Sequence, residues 1–185
     1  MSFLKPQIPR MESLFGTPHT REYTQKMTIS DMSVVTGSMK NGRSHDITLY
    51  IRKDDGYIFI AKHFYPKDLY RAPSGGVNPT EDFVDGAKRE AMEETGTVIE
   101  LEKYIMRINV NFESPDINVV WTSHVFTARH LTGEISPQDT DEIREAILIK
   151  PDDIHEYIQK MKNSSLGGLN YRAYLTSEVQ ELLSS

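Results

Sequence analysis

Three glutamates, Glu90, Glu93 and Glu94, lie close together in one short stretch of the sequence. At about 100° per residue of a helix these positions share one face, so their carboxylates repel one another and weaken the helix. A divalent cation removes that penalty, and carboxylate oxygens without His or Cys suit Mg²⁺ or Mn²⁺ rather than zinc. A solvated acidic face is the alternative, since charge runs are common on surfaces. In either case Arg89 is placed to offset one carboxylate.

A glycine-containing turn, Ser74-Gly75-Gly76, precedes these glutamates. Glycine has no side chain, so the backbone amides of such a turn can approach phosphate oxygens closely. A phosphate-binding loop that leads into a carboxylate helix able to hold Mg²⁺ is suited to a pyrophosphate ligand.

The glutamates need a helix to position them, and the surrounding sequence predicts one. Thr80 is the expected N-cap, with Glu81 and Asp82 in the first turn, where the helix dipole favours acids. Phe83, Val84, Ala87 and Ala91 form an apolar stripe at helical spacing. Gly96 stands where a C′ glycine is expected to end the helix.

The remaining pattern predicts a sheet with helices around it. Residues 1–26 contain three prolines and no sustained period, and we expect an irregular arm there. Strands are expected at Met32–Thr36, Asp46–Arg52, Tyr57–Phe64, Val98–Phe112, Ile117–Arg129 and Ile143–Ile149, and further helices at Asp152–Met161 and Tyr171–Leu183. The second and third strands are separated by a turn sequence and should form a hairpin. This order of elements favours an α/β or α+β sandwich.

The composition excludes several classes of protein. The 185 residues carry a formal charge of −6, and the distribution is uneven: net +4 over residues 1–74 and net −10 over residues 75–185. An acidic chain without a basic cluster argues against a general nucleic-acid binder. The length suggests one domain, and the lack of Cys excludes disulfides and thiolate sites. No apolar run approaches the roughly 18 residues of a membrane span, and the first ten residues do not resemble a signal peptide. We therefore expect a cytoplasmic protein with no membrane partner.

A longer motif surrounds the three glutamates. Gly75 is followed after five residues by Glu81, and Glu81 after seven residues by Arg89-Glu90-Ala91-Met92-Glu93-Glu94-Thr95-Gly96-Thr97. This pattern resembles the Nudix box, G-x5-E-x7-R-E-U-x-E-E-x-G-U, in which U is a bulky aliphatic residue. All seven fixed residues are present, while Ala91 and Thr97 occupy the U positions. The chain is thus similar to Nudix hydrolases, with the box at residues 75–97.

The resemblance implies a fold and a reaction. The fold is a mixed β-sheet sandwiched between α-helices, over residues 27–185. The reaction is metal-dependent hydrolysis of a nucleoside diphosphate linked to another moiety, giving a nucleotide and a phosphorylated product. The cofactor that it implies is Mg²⁺ or Mn²⁺, and the partner is a small-molecule substrate.

The resemblance also assigns roles to residues of the box. Glu90, Glu93 and Glu94 correspond to the metal ligands, and Glu90 and Glu93 are also candidates for the catalytic carboxylate. Gly75 and Gly76 shape the loop that meets the substrate. Glu81 and Arg89 correspond to residues that brace the loop–helix–loop unit.

In many members of the family a later carboxylate helps to activate water. The acidic stretch before the Ile143–Ile149 strand offers Glu142 as the first choice and Glu145 as the second. An acidic surface loop is the alternative interpretation.

The substrate is less well defined by the sequence. Patterns of NADH- and coenzyme A-cleaving members are absent, and Pro115 stands 18 residues beyond Thr97, close to a proline of ADP-ribose-cleaving members but out of register. The N-terminal arm is similar to segments through which ADP-ribose and nucleotide-sugar members form homodimers. We therefore favour ADP-ribose or a nucleotide sugar.

Other residues are candidates for contacts with such a substrate. The candidates for phosphate or sugar contacts are Arg71, Lys62 and Arg52, and those for stacking on a base are Trp121 and Tyr65. For a single Trp in an apolar strand, a place in the core is the usual alternative.

Three further functions remain open. One is a nucleoside triphosphate pyrophosphohydrolase, and another is a non-catalytic Nudix-fold nucleotide sensor, although sensors usually have an eroded box or an added domain. An RNA-pyrophosphate enzyme shares the box but needs a basic track.

Overall fold

A computed structural model describes residues 4–184 of the chain. The helices are α1 (Ile8–Phe15), α2 (Ile29–Gly37), α3 (Phe83–Thr95), α4 (Ile154–Lys162) and α5 (Gly167–Ser184). The strands are β1 (His19–Lys26), β2 (His45–Lys53), β3 (Gly56–Lys62), β4 (Ser74–Gly75), β5 (Val98–Glu113), β6 (Asn118–Thr132) and β7 (Ile143–Ile149). Short 3₁₀ turns lie at Lys5–Gln7, Lys40–Gly42 and Pro151–Asp153.

The strands form one mixed sheet in the order β1-β5-β6-β2-β3-β7, with β4 pairing with β2. The β1–β5 and β2–β6 pairs are parallel, whereas β5–β6, β2–β3 and β3–β7 are antiparallel. The mixed sheet between helices confirms the predicted α/β fold.

Each face of the sheet carries a hydrophobic core. Successive side chains of a strand point to opposite faces, and β2 shows this clearly. Its Ile47 and Leu49 pack with Phe83 and Ala87 of α3, while Tyr50 lies in the second core with α2, α4 and α5. The sheet thus holds α3 on one side and α5 on the other.

Two predictions about the first 40 residues are wrong. Residues 5–26 are not an irregular arm, because they form α1 and β1, and β1 pairs with β5 along its whole length; residues 1–3 of that arm lie outside the described residues. The predicted strand Met32–Thr36 belongs to α2, which Thr28 caps by accepting a hydrogen bond from the Asp31 amide.

The helix that carries the glutamates starts later than predicted. Its N-cap is Asp82 rather than Thr80, since the Asp82 carboxylate accepts a hydrogen bond from the Val84 amide. Glu81 therefore precedes the helix instead of lying in its first turn. Its end agrees with the prediction, because Gly96 adopts a left-handed φ of 75°.

The later elements agree closely with the sequence. The strand Ile143–Ile149 has the predicted bounds, and the β2–β3 hairpin is present. Pro151 begins a 3₁₀ turn that leads into α4, and α5 begins at Gly167, four residues before the predicted start. No helix within residues 4–184 is long and apolar enough to cross a membrane.

Candidate active site

The glutamates of α3 reach the short strand β4, which follows from how the helix packs. Phe83, Ala87 and Ala91 are buried against the sheet, so the next side chains around the helix, Glu90 and Glu94, lie at the border with β4. There the Ser74 amide donates a 2.6 Å hydrogen bond to Glu94 Oε2. The glycine turn and the carboxylate helix are therefore in direct contact.

Glu94 is the most deeply placed of the three glutamates, with 5 % of its surface exposed. Its Oε1 lies 3.7 Å from Nη2 of Arg71. Burial raises the pKa of Glu94, and the positive charges of Arg71 and Lys62 oppose that rise.

Arg89 connects several residues of the box. Its Nε donates to Glu81 Oε1 (2.8 Å) and its Nη2 to the Gly76 carbonyl (2.8 Å). Its Nη1 donates to both Glu90 Oε1 (2.8 Å) and Glu93 Oε2 (2.9 Å). The hydrogen bond from Arg89 is the main reason why the pKa of Glu81 is lowered. One guanidinium thus fixes the glycine turn to α3.

Glu90 lies against the glycine turn. A β-carbon on Gly75 would overlap its carboxylate, so a residue with a side chain cannot take this place unless Glu90 moves. Burial raises the pKa of Glu90 to about 7, with Arg89 opposing the rise and Glu94 and Glu93 adding to it.

The three glutamates are not assembled as a metal cluster. Among residues 4–184, no group of three or more His, Asp or Glu side chains is arranged to hold a metal ion, and the Arg89 guanidinium stands between Glu90 and Glu93. The chemistry of these side chains nevertheless fits a hard cation, because all three are carboxylates. Glu93 and Glu94 lie close enough to Glu90 to raise its pKa, and Glu93 shares the Arg89 guanidinium with it.

The glutamates open into a cavity of about 530 Å³. Part of its wall is acidic and comes from α3 and the segment before β7; the contributing carboxylates are those of Glu90, Glu93, Glu94, Asp139 and Glu142. Another part is apolar and aromatic and includes Val35, Phe112, Trp121, Leu169 and Tyr171. The volume and this mixture of walls are typical of a small-molecule site.

The structure distinguishes the two later carboxylates. Glu142 lines the cavity and forms an ion pair with Lys62. Burial alone would raise its pKa, but the positive charges of Lys62, Arg71 and Lys40 together lower it. Glu145 is not among the cavity-lining residues and accepts a 3.2 Å hydrogen bond from Arg144 Nε. Glu142, the first choice from the sequence, is therefore the one that shares a cavity with the box.

Of the predicted substrate-binding residues, the structure likewise places some in the cavity and one outside it. Gly75, Gly76, Arg71, Lys62, Tyr65 and Trp121 line the cavity. Arg52 does not; it lies near the end of β2, 3.6 Å from Glu102.

Arg71 is buried, and its hydrogen-bond donors are largely used within the protein. It is 3 % exposed and donates to the Tyr65 hydroxyl (2.8 Å), the Ala72 carbonyl (2.7 Å) and Ser74 Oγ (3.0 Å). We therefore expect Arg71 to hold the glycine turn and Glu94 in place rather than to contact the substrate directly.

A buried ion pair in the cavity wall was missed by the sequence analysis. Arg172 of α5 donates 2.6 Å to Asp46 Oδ2 and 2.9 Å to Ser74 Oγ, and Asp46 also accepts from Trp121 Nε1 at 2.9 Å and from Ser123. Burial alone would raise the pKa of Asp46, but Arg172 and these hydrogen bonds hold it well below its usual range. The two partners are 126 residues apart, so no local pattern joins them.

The chain matches one family of known proteins. A family model described as the NUDIX domain matches residues 43–166. A comparison with curated proteins found no match.

Solved structures of similar fold include several hydrolases. A NUDIX hydrolase from Nitrosomonas europaea shares 17 % identity over 72 % of this chain and 89 % of its own, with a TM-score of 0.51. A hydrolase of the NUDIX family from Clostridium perfringens shares 19 % identity over 76 % and 98 %, with a TM-score of 0.49. An ADP-ribose pyrophosphatase from Streptococcus suis shares 17 % identity over 59 % and 75 %, with a TM-score of 0.43.

Proposed function

This chain belongs to the NUDIX family of hydrolases, and on that premise we propose that it cleaves a nucleoside diphosphate linked to a second moiety. ADP-ribose or a nucleotide sugar is the favoured class of substrate. The products are a nucleoside monophosphate and the phosphorylated second moiety. One observation carries the proposal: the box carboxylates and Glu142 open into the same cavity as an apolar, aromatic wall.

That cavity suits the two chemical parts of such a substrate. Trp121 and Tyr171 belong to the apolar part of the cavity wall, and aromatic residues of this kind suit a base or sugar ring. The segment Gly75–Gly76 presents backbone without side chains beside Glu90, where the pyrophosphate has access to the glutamates.

Glu90, Glu93 and Glu94 would hold Mg²⁺ or Mn²⁺. When bound, the cation neutralises the charge of the pyrophosphate and of the transition state. Arg89 donates hydrogen bonds to Glu81 and to the Gly76 carbonyl as well as to Glu90 and Glu93. It would therefore hold the glycine turn against α3 beside a cation bound there.

Glu142 is the residue that we assign to the attacking water. Its carboxylate lines the same cavity as the box glutamates, so it can accept a hydrogen bond from water and take its proton as the oxygen bonds to phosphorus. The bond between that phosphorus and the bridging oxygen then breaks, and the two phosphorylated products separate. Glu90 and Glu93 remain the alternative bases within the box.

A substrate panel tests this function. The purified protein is incubated with Mg²⁺ or Mn²⁺ and ADP-ribose, nucleotide sugars, dinucleoside polyphosphates or nucleoside triphosphates, and the phosphorylated products are separated. We expect metal-dependent turnover of ADP-ribose or a nucleotide sugar. Turnover of triphosphates alone would instead identify a nucleoside triphosphate pyrophosphohydrolase.

Nucleotide binding without any turnover would identify a sensor. A homodimer remains a prediction, which light scattering of the purified protein would test.

A further inference from the structure

Five basic side chains line the cavity, and they fall into two groups. Three have an acidic partner: Lys62 pairs with Glu142, Arg71 with Glu94 and Arg172 with Asp46. The other two are Lys40 and Arg43. Within residues 4–184 no carboxylate lies within ion-pair distance of either. Among the described residues, Lys40 and Arg43 are therefore the two cavity-lining cations without a carboxylate partner.

Arg43 lies directly against the glycine turn. A β-carbon on Gly76 would overlap its guanidinium, just as one on Gly75 would overlap the Glu90 carboxylate. The side chain is half-buried, and its Nε donates a 3.1 Å hydrogen bond to the Ser38 carbonyl. Gly75 thus lies against Glu90, an acid of the box, and the next residue, Gly76, lies against the cation Arg43.

Lys40 lines the same cavity and belongs to the 3₁₀ turn Lys40–Gly42. It is exposed and makes no side-chain hydrogen bond within the described chain. Its charge nevertheless reaches Glu142, because Lys40 is one of the cations that lower the pKa of that carboxylate. Lys40 and Arg43 therefore line the same cavity as Glu142 and the glutamates of α3.

We propose that Arg43 and Lys40 bind the phosphate group of the substrate that the glutamates of α3 do not hold. This inference rests on the proposed function, since a nucleoside diphosphate derivative has two linked phosphates. Nη1 and Nη2 of Arg43 have no acidic partner and form the planar fork that matches phosphate oxygens, while Lys40 adds a mobile point charge. The substrate is thereby held at both phosphates, across the Gly75–Gly76 backbone.

Binding of a non-hydrolysable probe tests the proposal. The affinity of α,β-methylene-ADP is measured by titration calorimetry in Mg²⁺ for the wild type, Arg43→Gln and Lys40→Gln. The matched controls are Arg52→Gln and Lys88→Gln, which remove the same charges from residues that do not line the cavity. We expect roughly ten- to hundredfold weaker binding for Arg43→Gln and a smaller loss for Lys40→Gln, with the controls at the wild-type value. Arg43→Lys should fall between wild type and Arg43→Gln because it keeps the charge but loses the fork.

Two further comparisons show whether weaker binding of the probe has a cause other than misfolding. Lys40→Gln changes an exposed side chain that makes no hydrogen bond, so its fold should be intact. Gly76→Ala leaves Arg43 in the sequence but places a methyl group where its guanidinium lies, and it should weaken binding as Arg43→Gln does. Thermal unfolding of each variant shows that the protein is folded.

The outcomes separate this inference from the proposed function. If the wild type hydrolyses the panel substrates and both Arg43→Gln and Lys40→Gln bind the probe within twofold of their controls, the inference is wrong and the function stands. If the wild type hydrolyses nothing but binds the probe in an Arg43-dependent way, the function is wrong and the phosphate site stands. A wild type that does not bind the probe at all would also overturn the inference.

Discussion

Gly75 and Glu90 share one small volume, since the carboxylate of Glu90 occupies the place that a β-carbon on Gly75 would need. The first residue of the box is thus a glycine because of the side chain that stands 15 positions later. The consequence is that Gly75 controls the position of Glu90 without taking part in chemistry.

Replacement of Gly75 by alanine should therefore affect activity more than stability. The atom in the way is the end of a flexible side chain, so Glu90 can move at a cost of about 1 kcal/mol. We expect activity to fall by roughly a hundredfold because the carboxylate is displaced. Combined with Glu90→Gln, Gly75→Ala should cause little additional loss, since both act on one group. Losses that multiply in the double variant would show that Gly75 acts in some other way.

Glu93→Gln should lower metal-dependent activity at least about a hundredfold while the fold remains intact. Glu93 is the most exposed of the three glutamates, and its bond to Arg89 is shared with Glu90. Its loss should change the free energy of unfolding by no more than about 0.5 kcal/mol. The matched control is Asp85→Asn, on the same helix but outside the cavity. Wild-type rates at saturating Mg²⁺ for Glu93→Gln would remove Glu93 from the metal ligands.

Glu142→Gln and Glu145→Gln form a second matched pair. If Glu142 takes the proton of water, its replacement should lower kcat by roughly 10²–10⁴-fold and leave KM within a few-fold. Glu145 does not line the cavity, so its replacement should leave kcat unchanged. Steady-state kinetics at neutral pH distinguish the two, and equal effects would place the base within the box.

Arg172→Ala should destabilise the protein strongly. It leaves Asp46, which is 4 % exposed, without its cation, and breaking such a buried pair typically costs about 3–5 kcal/mol. Addition of Asp46→Asn should restore part of the loss, because the uncompensated charge is then removed. Urea unfolding of the single and double variants measures both terms. A double variant less stable than Arg172→Ala would contradict this explanation.

Stability should decrease as the solution becomes acidic, partly through His124. This residue is 1 % exposed and hydrogen-bonded to Tyr104, and burial lowers its pKa to about 3. In the unfolded chain the His124 imidazole therefore binds a proton near pH 6.5, whereas in the folded protein it stays neutral at that pH. His124 alone should therefore cost about 1.4 kcal/mol for each pH unit below 6.5 until its folded pKa is reached.

The slope of unfolding free energy against pH, measured in urea between pH 7 and pH 4.5, tests this account. His124→Gln should reduce the slope by about one proton, whereas His155→Gln, at an exposed position, should leave it unchanged. Identical slopes in the wild type and His124→Gln would show that His124 is not the group responsible.

Local patterns predict the parts of this fold that depend on neighbours in the sequence. Ile143–Ile149 is a short apolar run with strand-forming residues, and its bounds are those of β7. The hairpin before the box follows from the turn residues between two alternating segments. The box itself is local, and its Arg89 network lies within residues 76–93.

The errors arise where tertiary contacts override local preference. Strand β1 has the sequence HTREYTQK and mostly exposed side chains, since it is an edge strand held by backbone pairing with β5. No apolar alternation marks it. Val34, Val35 and Thr36 favour a strand, but capping by Thr28 and burial of Met32 place them in a helix. For α3, Asp82 replaces Thr80 as the cap because Glu81 is engaged with Arg89 and the Asn78 amide.

In the site, too, the sequence predicted only groups of residues that lie close together along the chain. Glu90, Glu93 and Glu94 have a spacing that can be recognised in one helix, whereas Asp46 and Arg172 meet only after the sheet and α5 have assembled. Likewise, nothing in the sequence distinguishes Arg43 from Arg52, although the structure places one in the cavity and the other outside it.

The cavity extends beyond the domain that the family model matches. That match covers residues 43–166, yet Val35 and Lys40 before it and Leu169 and Arg172 after it also line the cavity. The groups assigned to hydrolysis lie inside the matched range, and much of the apolar wall lies in α2 and α5. Exchange of these two flanking helices between homologous enzymes should therefore transfer ligand preference while the reaction stays the same, which makes them suitable modules for redesigning substrate range.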